Sequence, residues 1–313
     1  MLPIALCTKH LIMSKQLIIW HFTDKKPGHE NQSRGLIRAM SAVTPINSHV
    51  IDVPQNFFIL LFALFSGAFY RQLSKLEKPN YLIAAGRRTH LPTLLAHIWF
   101  GGKQVVLMRP SWPQKWFDML IIPAHDRPKT RPNILATQGA INTITPSNNH
   151  DKNQGIILIG GPSKHYHWNT SNVVQQISVL LQSVPGISWT IVNSRRTPED
   201  FSIQLQNISN EYTFIDHHQS EKGWLPKQLA SAGQIWVSPD SVSMIYEALT
   251  SGAAVGCLDL EKKGENRIVS GIDELMRSGM LTPFGQWQIT HELTLPSSQL
   301  NEAKRAADWI LNQ

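Results

Sequence analysis

A loop near the start of the 313-residue chain combines three side chains that can carry protons. Asp24, His29 and Glu30 lie within seven residues of one another, between an apolar run and a segment with helical spacing. A histidine or a carboxylate held beside a hydroxyl can act as a general base, so this loop is a candidate catalytic site. The alternative is structural, with Asp24 stabilising the turn and His29 or Glu30 capping the helix.

Three polar turns in the second half of the chain are candidates for binding phosphate and ribose. The first contains two glycines, which allow close backbone approach, and a following helix start would offer free N–H groups to an anion. The second carries two guanidinium groups, which bind phosphate through paired hydrogen bonds. In the third, Asp240 or Ser241 would cap a helix whose glutamate could accept hydrogen bonds from ribose hydroxyls. The residues predicted to form this site are Gly160, Gly161, Ser163, Lys164, Ser194, Arg195, Arg196, Ser238, Asp240, Ser241, Ser243, Met244 and Glu247.

Each of these turns also has an ordinary structural interpretation, namely a Gly-Pro turn, a solvated arginine turn, a helix cap or an exposed helical glutamate. Cationic and polar residues likewise follow the apolar runs of the first half, where they would bind an acidic acceptor. The residues predicted for that acceptor site are Lys26, Gly28, Asn31, Gln32, Arg87, Arg88, Arg109 and His125.

The elements that must position these residues alternate between short apolar runs and amphipathic segments. Such alternation, with short Gly/Pro turns, predicts parallel sheets covered by helices on both faces, and ligands bind at the carboxyl edge of such sheets. The predicted strands are Leu17–Phe22, Tyr81–Ala85, Gln104–Met108, Met119–Ile122, Gly155–Ile159, Trp189–Asn193, Thr213–Ile215, Ile235–Val237 and Ala254–Leu258. The predicted helices are Asn31–Ser41, Leu91–Phe100, Asn172–Ser183, Leu225–Ala232 and Ser241–Thr250.

The polar stretch Thr143–Gln154 has no apolar periodicity and predicts an interdomain linker. Short echoes between the halves, such as GRRT and SRRT, favour twin Rossmann-like, doubly wound α/β domains that face a central cleft. We expect an N-terminal domain over residues 1–148 and a C-terminal domain over 149–313, with the last helix packing back on the first domain. Residues 1–13 are expected to be an extension, because a second methionine, Met13, precedes the first strand.

Composition and charge exclude several classes of protein. With 42% apolar and 16% charged residues, the chain is globular rather than disordered, fibrous or coiled-coil. Residues 1–150 have a net charge of +11 and residues 151–313 a net charge of −4, which suggests domains with different partners. No nucleic-acid-binding pattern stands out, so nucleic acid is not an expected partner. Cys7 and Cys257 are too few for a disulfide framework and indicate a reducing compartment.

The longest apolar stretch, Phe57–Tyr70, is short of the roughly 20 residues needed to span a bilayer. It predicts either a core helix or an interfacial helix on an anionic membrane surface. In the second case Arg71, Lys75 and Lys78 would lie near headgroup phosphates. The expected location is therefore cytoplasmic and peripheral, on the inner face of the cytoplasmic membrane.

Six motifs occur in order between Trp20 and about Glu261: TDKKPGHENQS, AAGRRTHLP, FDMLIIPAHD, IGGPSKHYHW, SRRTPED and SPDSVSMIYEA. Together they resemble the ELM1/GtrOC1 family. Its bacterial members are regarded as glycosyltransferases of envelope polysaccharide or lipopolysaccharide core synthesis, and a plant member is a mitochondrial fission factor acting with a dynamin-related protein. The family is similar to GT-B glycosyltransferases, which bind the acceptor on the N-terminal domain and the nucleotide sugar on the C-terminal one. One departure is Lys25, where the family pattern TDGKPGH has glycine.

The residues and the resemblance together predict a metal-independent GT-B glycosyltransferase that moves a sugar from a nucleotide sugar to an envelope saccharide or lipid-linked acceptor. Asp24, His29 or Glu30 would be the base. Cations and helix N-termini would stabilise the departing phosphate. No cofactor and no metal are expected, because no DxD motif ends a suitable strand and no His/carboxylate cluster has ligand spacing.

Two alternatives come from other functional classes. One is a non-catalytic adaptor that recruits a membrane-remodelling, dynamin-related partner. The other is a nicotinamide-dependent epimerase of nucleotide sugars, which the absence of GxGxxG and Tyr-x-x-x-Lys motifs disfavours.

Overall fold

The computed structural model describes residues 16–221, 223–296 and 298–313, and these form two parallel β-sheets of six strands each. The first sheet contains β1 (Leu17–Thr23), β2 (Ile46–Asp52), β3 (Tyr81–Ala85), β4 (Lys103–Leu107), β5 (Met119–Pro123) and β6 (Ile134–Thr137). The second contains β7 (Asp151–Leu158), β8 (Ser188–Val192), β9 (Thr213–Ile215), β10 (Ala232–Val237), β11 (Ala254–Cys257) and β12 (Thr282–Pro283). The predicted extension, residues 1–13, lies outside the described residues.

Helices cover both sheets, which confirms the predicted fold class of two Rossmann-like α/β domains. Those that follow strands of the first sheet are α1 (Pro27–Ser41), α2 (Phe57–Phe65), α3 (Ala68–Leu73) and α4 (His90–Phe100). Those that follow β7 are α5 (Thr170–Ser183), α6 (Asp200–Leu205), α7 (Trp224–Ser231), α8 (Val242–Ser251), α9 (Arg267–Arg277), α10 (Phe284–Thr290) and α11 (Glu302–Leu311).

Each sheet reverses its winding beside its own first strand. The strand orders are β2-β1-β3-β4-β5-β6 and β12-β11-β10-β7-β8-β9, with all neighbouring strands parallel. The reversals therefore lie between β1 and β3 and between β7 and β10. In open parallel sheets such a reversal leaves a crevice at the carboxyl edge, where ligands bind. We call these the first and the second crevice.

The strands are apolar throughout because helices cover both faces of each sheet. In β3, residues 82–84 are fully buried. The last helix, α11, belongs to the core of the first domain, since Ala306 and Ile310 are fully buried in one cluster with Ile19 and Leu36. The described part of the chain, from residue 16 to residue 313, thus begins and ends in the same domain.

The observed elements differ from the predicted ones mainly at the sheet edges. The three strands that the sequence does not predict, β2, β6 and β12, each lie at the edge of a sheet. β2 mixes polar and apolar residues, and β6 and β12 have only four and two residues, so none of the three presents a long apolar run. The predicted linker is also too long, because β7 begins at Asp151. The first four residues of β7 are exposed and polar, which hides the strand in the sequence.

Helix α2 has one face in the core and another at the surface. Asn56 caps it by accepting hydrogen bonds from the backbone N–H groups of Phe58 and Ile59. Leu60 is buried in the first domain, whereas Phe58, Phe62 and Phe65 are 78%, 74% and 87% exposed. Within the described part of the chain, no helix combines the length and the hydropathy required to cross a membrane.

Candidate active site

The first crevice contains a buried aspartate paired with a histidine. Asp24 is 1% exposed, and its Oδ1 and Oδ2 lie 2.9 and 3.0 Å from Nδ1 of His29, in the first turn of α1. The carboxylate also accepts a hydrogen bond from the backbone N–H of Lys26 at 3.2 Å. An Nδ1–H held by a carboxylate leaves Nε2 of the imidazole as the group that can accept a proton.

A glycine after β3 makes room for this pair. Gly86 has a φ of +93°, and a Cβ at this position would overlap the imidazole of His29. Both the left-handed backbone and the close approach therefore require glycine here. The crevice thus brings together two of the sequence motifs, the loop after β1 and the turn after β3.

Glu30 is separated from this pair, although it is the next residue. Its Oε1 accepts a hydrogen bond from Oγ1 of Thr23 at 3.2 Å, and its Oε2 lies 3.4 Å from Nη2 of Arg34. Glu30 faces the large cleft described below, while His29 packs against Gly86. The three candidate bases thus have different surroundings, and Asp24 is placed to orient the imidazole rather than to meet a substrate.

His90 is a neighbour of this pair that sequence analysis does not single out. It is 2% exposed, and its Nδ1 has no hydrogen-bond partner among the described residues. Burial, followed by the nearby charges of His29 and Arg87, lowers the pKa of His90 to about 4. This imidazole is therefore neutral at physiological pH. The signal for it was present in the sequence, since His90 lies in the motif AAGRRTHLP.

The second crevice also contains a buried aspartate, but its partner is an arginine. The Asp240 side chain is fully buried, and its Oδ2 accepts hydrogen bonds from Nη2 of Arg196 at 2.7 Å and from the backbone N–H of Gly161 at 3.0 Å. The backbone N–H of Gly160 donates to Oγ of Ser238 at 2.8 Å. A Cβ at Gly160 would overlap the Asp240 carboxylate.

These contacts correct two expectations about the glycine turn. The N–H groups of Gly160 and Gly161 are already bonded to side chains and are not free to bind a phosphate. No helix follows the turn directly, because α5 begins only at Thr170. Asp240 does not cap α8 either, since its carboxylate is held by the arginine. The turn is instead hydrogen-bonded to Ser238 and Asp240 at the second crevice.

The two domains enclose a cleft of about 1220 Å³ between these crevices. Eleven of the predicted site residues line it: Gly28, Glu30, Asn31, Gln32, Ser194, Arg195, Arg196, Ser241, Ser243, Met244 and Glu247. Sequence analysis does not predict three cations that also line it, namely Arg34, Arg38 and Lys227. Arg195 and Lys227 have no ion-pair partner in the described part of the chain, so their charges are available to a ligand.

Glu247 connects the two domains across this cleft. Its Oε1 accepts a hydrogen bond from Nδ2 of Asn31 at 2.7 Å, and Oδ1 of Asn31 in turn accepts one from Thr143 at 2.8 Å. Burial raises the pKa of Glu247 to about 7, although the hydrogen bond from Asn31 works in the opposite direction. Glu247 lines the cleft from within α8.

The remaining predicted residues lie outside the cleft. Arg87 and Arg88 line a separate cavity of about 450 Å³. Arg109 donates a hydrogen bond to the backbone oxygen of Asp126 at 3.3 Å. His125 lies beside α9, close to the ion pair between Asp126 and Arg267 (2.6 Å), which also joins the domains. Lys26 and Lys164 are exposed, and Ser163 accepts hydrogen bonds from two backbone N–H groups of its own turn.

Among the described residues, one group of potential metal ligands forms at the edge of the second sheet, where none was expected from the sequence spacing. Ligand atoms of Asp216, His217 and His218 lie within 4.8 Å of one another, directly after β9. Hydrogen bonds from the backbone of His218 and from Asn193 lower the pKa of Asp216. Oδ1 of Asn193 is also bonded to the backbone of His217, so local hydrogen bonds already hold this cluster.

The fold and the site together define a class. Two Rossmann-like domains whose crevices face a common cleft form the GT-B architecture of glycosyltransferases and nucleotide-sugar epimerases. The chain belongs to the mitochondrial fission ELM1 family, whose sequence model matches residues 27–313. This confirms the resemblance expected from the six motifs. The protein RP120 of Rickettsia prowazekii (strain Madrid E) is 24% identical over 346 residues, with 93% of this chain and 97% of the relative covered.

Solved structures with the same fold are distant in sequence. The UDP-GlcNAc 2-epimerase of Methanocaldococcus jannaschii is 13% identical with a TM-score of 0.60, over 95% of this chain and all of the other. MurG of Acinetobacter baumannii is 12% identical with a TM-score of 0.55, at the same coverage. The Neisseria meningitidis UDP-GlcNAc 2-epimerase, solved with bound UDP-GlcNAc, is 12% identical with a TM-score of 0.58, over 95% and 98%. These likenesses show the fold, and they include epimerases, so a missing nicotinamide motif disfavours only nicotinamide-dependent ones.

Proposed function

We propose that this protein is a GT-B glycosyltransferase that moves a sugar from a nucleotide sugar to a hydroxyl of an envelope saccharide or lipid-linked acceptor, as in lipopolysaccharide core synthesis. The observation that carries the proposal is the Asp24–His29 pair, which lies in the first crevice at the edge of a cleft lined by cations of both domains. The chemistry fits the transfer of a sugar from a diphosphate to a hydroxyl.

In this proposal His29 is the catalytic base and Asp24 is a positioning residue. Nε2 of His29 takes the proton of the acceptor hydroxyl, whose oxygen bonds to the anomeric carbon of the sugar. The bond from that carbon to the diphosphate oxygen breaks, and the nucleoside diphosphate leaves. Asp24 holds the imidazole in the required orientation and stabilises its protonated form.

The nucleotide sugar would bind on the side of the second domain. Arg195 and Lys227 supply unpaired cations for the diphosphate, and Arg38 adds a third from α1. Glu247 is placed to accept hydrogen bonds from ribose hydroxyls, replacing its contact with Asn31. Fixed cations in a partly closed cleft stabilise the charge that develops on the leaving group.

We further propose that the transfer needs no metal ion. Guanidinium and ammonium groups already supply positive charge where the diphosphate would lie. The test is to treat the protein with EDTA and then add back Mg²⁺ or Mn²⁺, and we expect the same rate throughout. A rate that depends on added Mn²⁺ would instead point to the cluster at Asp216, His217 and His218.

Peripheral membrane association would bring the protein to a lipid-linked acceptor. The exposed phenylalanines of α2 would enter the interface below the headgroups, while Arg71, Lys75 and Lys78 approach anionic phosphates. We expect co-sedimentation with anionic liposomes that weakens in high salt and with Phe62→Ser plus Phe65→Ser. Because these side chains are exposed, the variant should remain folded, and undiminished binding would contradict the proposal.

The proposed function is tested by incubating the purified protein with a panel of nucleotide sugars and lipid-linked saccharides. We expect release of nucleoside diphosphate that depends on acceptor and is abolished by His29→Ala. The matched control is His167→Ala, since His167 is exposed on a loop outside the cleft. Conversion of the nucleotide sugar to its epimer without acceptor would identify an epimerase. Absence of both nucleotide binding and turnover would favour the adaptor, the alternative that the family name supports.

A further inference from the structure

A second cavity lies on the first domain, outside the cleft. It has a volume of about 450 Å³, and no described residue lines both this cavity and the cleft. Its apolar wall contains Leu60, Leu91 and Trp112, and its polar groups are Gln55, Arg87 and Arg88. The size suits a small ligand or the headgroup of a larger one.

The charge in this cavity is positive and unopposed. Neither guanidinium group, that of Arg87 or that of Arg88, has a carboxylate partner within the described residues, and no acidic residue lines the cavity. Asp52 precedes the first lining residue, Pro54, by two positions, and its carboxylate is paired with Lys25 at 2.8 Å. Two adjacent guanidinium groups without a counter-charge favour a phosphate, which they can bind through several hydrogen bonds.

The wall of the cavity formed by Leu60, Leu91 and Trp112 is apolar. A phosphate held by the arginines could therefore carry a hydrocarbon chain that packs against these side chains. Free phosphate or a soluble nucleotide would leave these apolar surfaces in contact with water, so the cavity fits an amphiphile better.

The cavity also lies next to the proposed base. Arg87 and Arg88 directly follow Gly86, against which the imidazole of His29 packs. A sugar attached to a phosphate in the cavity would thus start within reach of the first crevice.

We propose that this cavity binds the phosphate of a lipid-linked acceptor, with the hydrocarbon on Leu60, Leu91 and Trp112 and the first sugar directed towards His29. The role of the ligand as an acceptor rests on the proposed glycosyltransferase function. The binding site itself does not.

Binding is tested by calorimetric titration with dihexanoyl phosphatidic acid as a monomer, with inorganic phosphate and dihexanoyl phosphatidylcholine as comparison ligands. We expect the phosphatidic acid to bind, and both comparison ligands to bind at least ten-fold more weakly. Arg87→Gln plus Arg88→Gln should lower the affinity at least ten-fold, and each single variant should lower it in part. Lys129→Gln plus Arg131→Gln removes the same charge from exposed positions of the same domain and should leave binding unchanged.

Several results would overturn this site. Equal affinity for inorganic phosphate would mean a site for free phosphate, and equal loss in the control variant would mean general electrostatic attraction. Trp112→Ala tests the same site if the double arginine variant does not fold. This variant should weaken binding of dihexanoyl phosphatidic acid but not of inorganic phosphate. Unchanged binding of the phosphatidic acid would contradict the proposed site.

Transfer assays separate this site from the proposed function. If both hold, the double arginine variant raises KM for a phosphorylated lipid acceptor about ten-fold while the affinity for the nucleotide sugar stays the same. Lipid binding without any transfer would leave the cavity in place and refute the transferase. Transfer with an unchanged KM in the double variant would support the transferase and refute the acceptor site in the cavity.

Discussion

Each domain buries an aspartate at its crevice, and each gives it a different partner. Asp24 follows β1, the first strand of its sheet, and holds His29 at 2.9 Å. Asp240 follows β10, across the crevice from the first strand β7, and holds Arg196 at 2.7 Å. The chemical difference between the two crevices therefore comes from the partner residue.

The two partner residues, His29 and Arg196, give the two sides of the cleft different chemical roles. An imidazole can gain and lose a proton near neutral pH, whereas a guanidinium remains charged under all physiological conditions. The first crevice can therefore carry out acid–base chemistry, and the second can only hold a fixed geometry. The neighbouring Arg195, which has no such partner in the described chain, is left to meet a ligand.

The largest effect is expected from breaking the pair in the first crevice. His29→Ala should lower the transfer rate by about 10²–10⁴-fold, the usual scale for losing a general base. Asp24→Asn should act in the same direction, because the amide no longer fixes the Nδ1–H tautomer. Both variants should bind nucleotide normally, since the nucleotide would lie on the other domain. Calorimetric affinity and initial rates provide the measurements.

Glu30→Gln is the discriminating variant for this comparison. Glu30 lines the cleft but does not contact the pair, so its loss should change the rate much less than the loss of His29. A drop as large as that of His29→Ala would make Glu30 the base. Full activity in all three variants would remove this loop from the mechanism.

In the second crevice we expect a loss of stability instead of a loss of chemistry. Arg196→Gln leaves the buried Asp240 carboxylate with only the Gly161 N–H, which should cost about 2 kcal/mol of unfolding free energy. Arg195→Gln is the matched control and should change stability by less than about 0.5 kcal/mol. It should instead lower nucleotide affinity roughly ten-fold. Urea unfolding and UDP titration check the two halves of this prediction.

The opposite pattern, with Arg196→Gln fully stable and unable to bind UDP, would show that both arginines serve the ligand. That was the expectation from the sequence, where SRRT presents two equivalent cations. The sequence could not distinguish them, because the partner of Arg196 lies 44 positions away along the chain.

The parts of the site that the sequence could predict are those formed by residues close together in the chain. Residues within one loop, such as Asp24 and His29, are recognisable because local spacing keeps them together. Contacts between distant segments are not, and the pair Asn31–Glu247 joins positions 216 residues apart. A different limit applies to the fold. Apolar runs reveal the interior strands, whereas the edge strands β2, β6 and β12 are mixed in polarity or short and lack such runs. Helix α9 could have been predicted, although no element was predicted after Leu258. It buries Val269, Ile272 and Leu275, whose spacing of three residues is typical of one face of a helix.

A pH-dependent effect is expected where the two domains meet, at Glu247. Its pKa is raised from 4.5 to about 7, so the folded protein favours the protonated form. The stability that this group contributes is fully present below pH 4.5 and is lost as the pH rises through about 7. Relative to Glu247→Gln, which cannot titrate, the wild type should lose about 3 kcal/mol between pH 4.5 and 8. Parallel stability profiles of the two proteins would mean that Glu247 does not titrate in this range.

The smallest effect concerns Lys25, in the loop that carries Asp24. Lys25 has a φ of +59°, in the left-handed region that favours glycine. The backbone here thus has a conformation that suits glycine, although the residue is lysine. The glycines of the second crevice, Gly160 and Gly161, differ in that they do not have positive φ and are required by space alone.

Lys25→Gly and Lys25→Ala separate these two uses of glycine. Both variants remove the exposed ion pair with Asp52, so that loss cancels between them. Only the alanine has a Cβ that a left-handed backbone disfavours, by about 1 kcal/mol, and the glycine variant should be the more stable by that amount. At Gly160, by contrast, even alanine should destabilise the protein, because its Cβ would overlap the Asp240 carboxylate. If Lys25→Ala proves as stable as Lys25→Gly in urea unfolding, the left-handed backbone at position 25 carries no measurable cost. The use of a left-handed residue would then not distinguish the first crevice from the second.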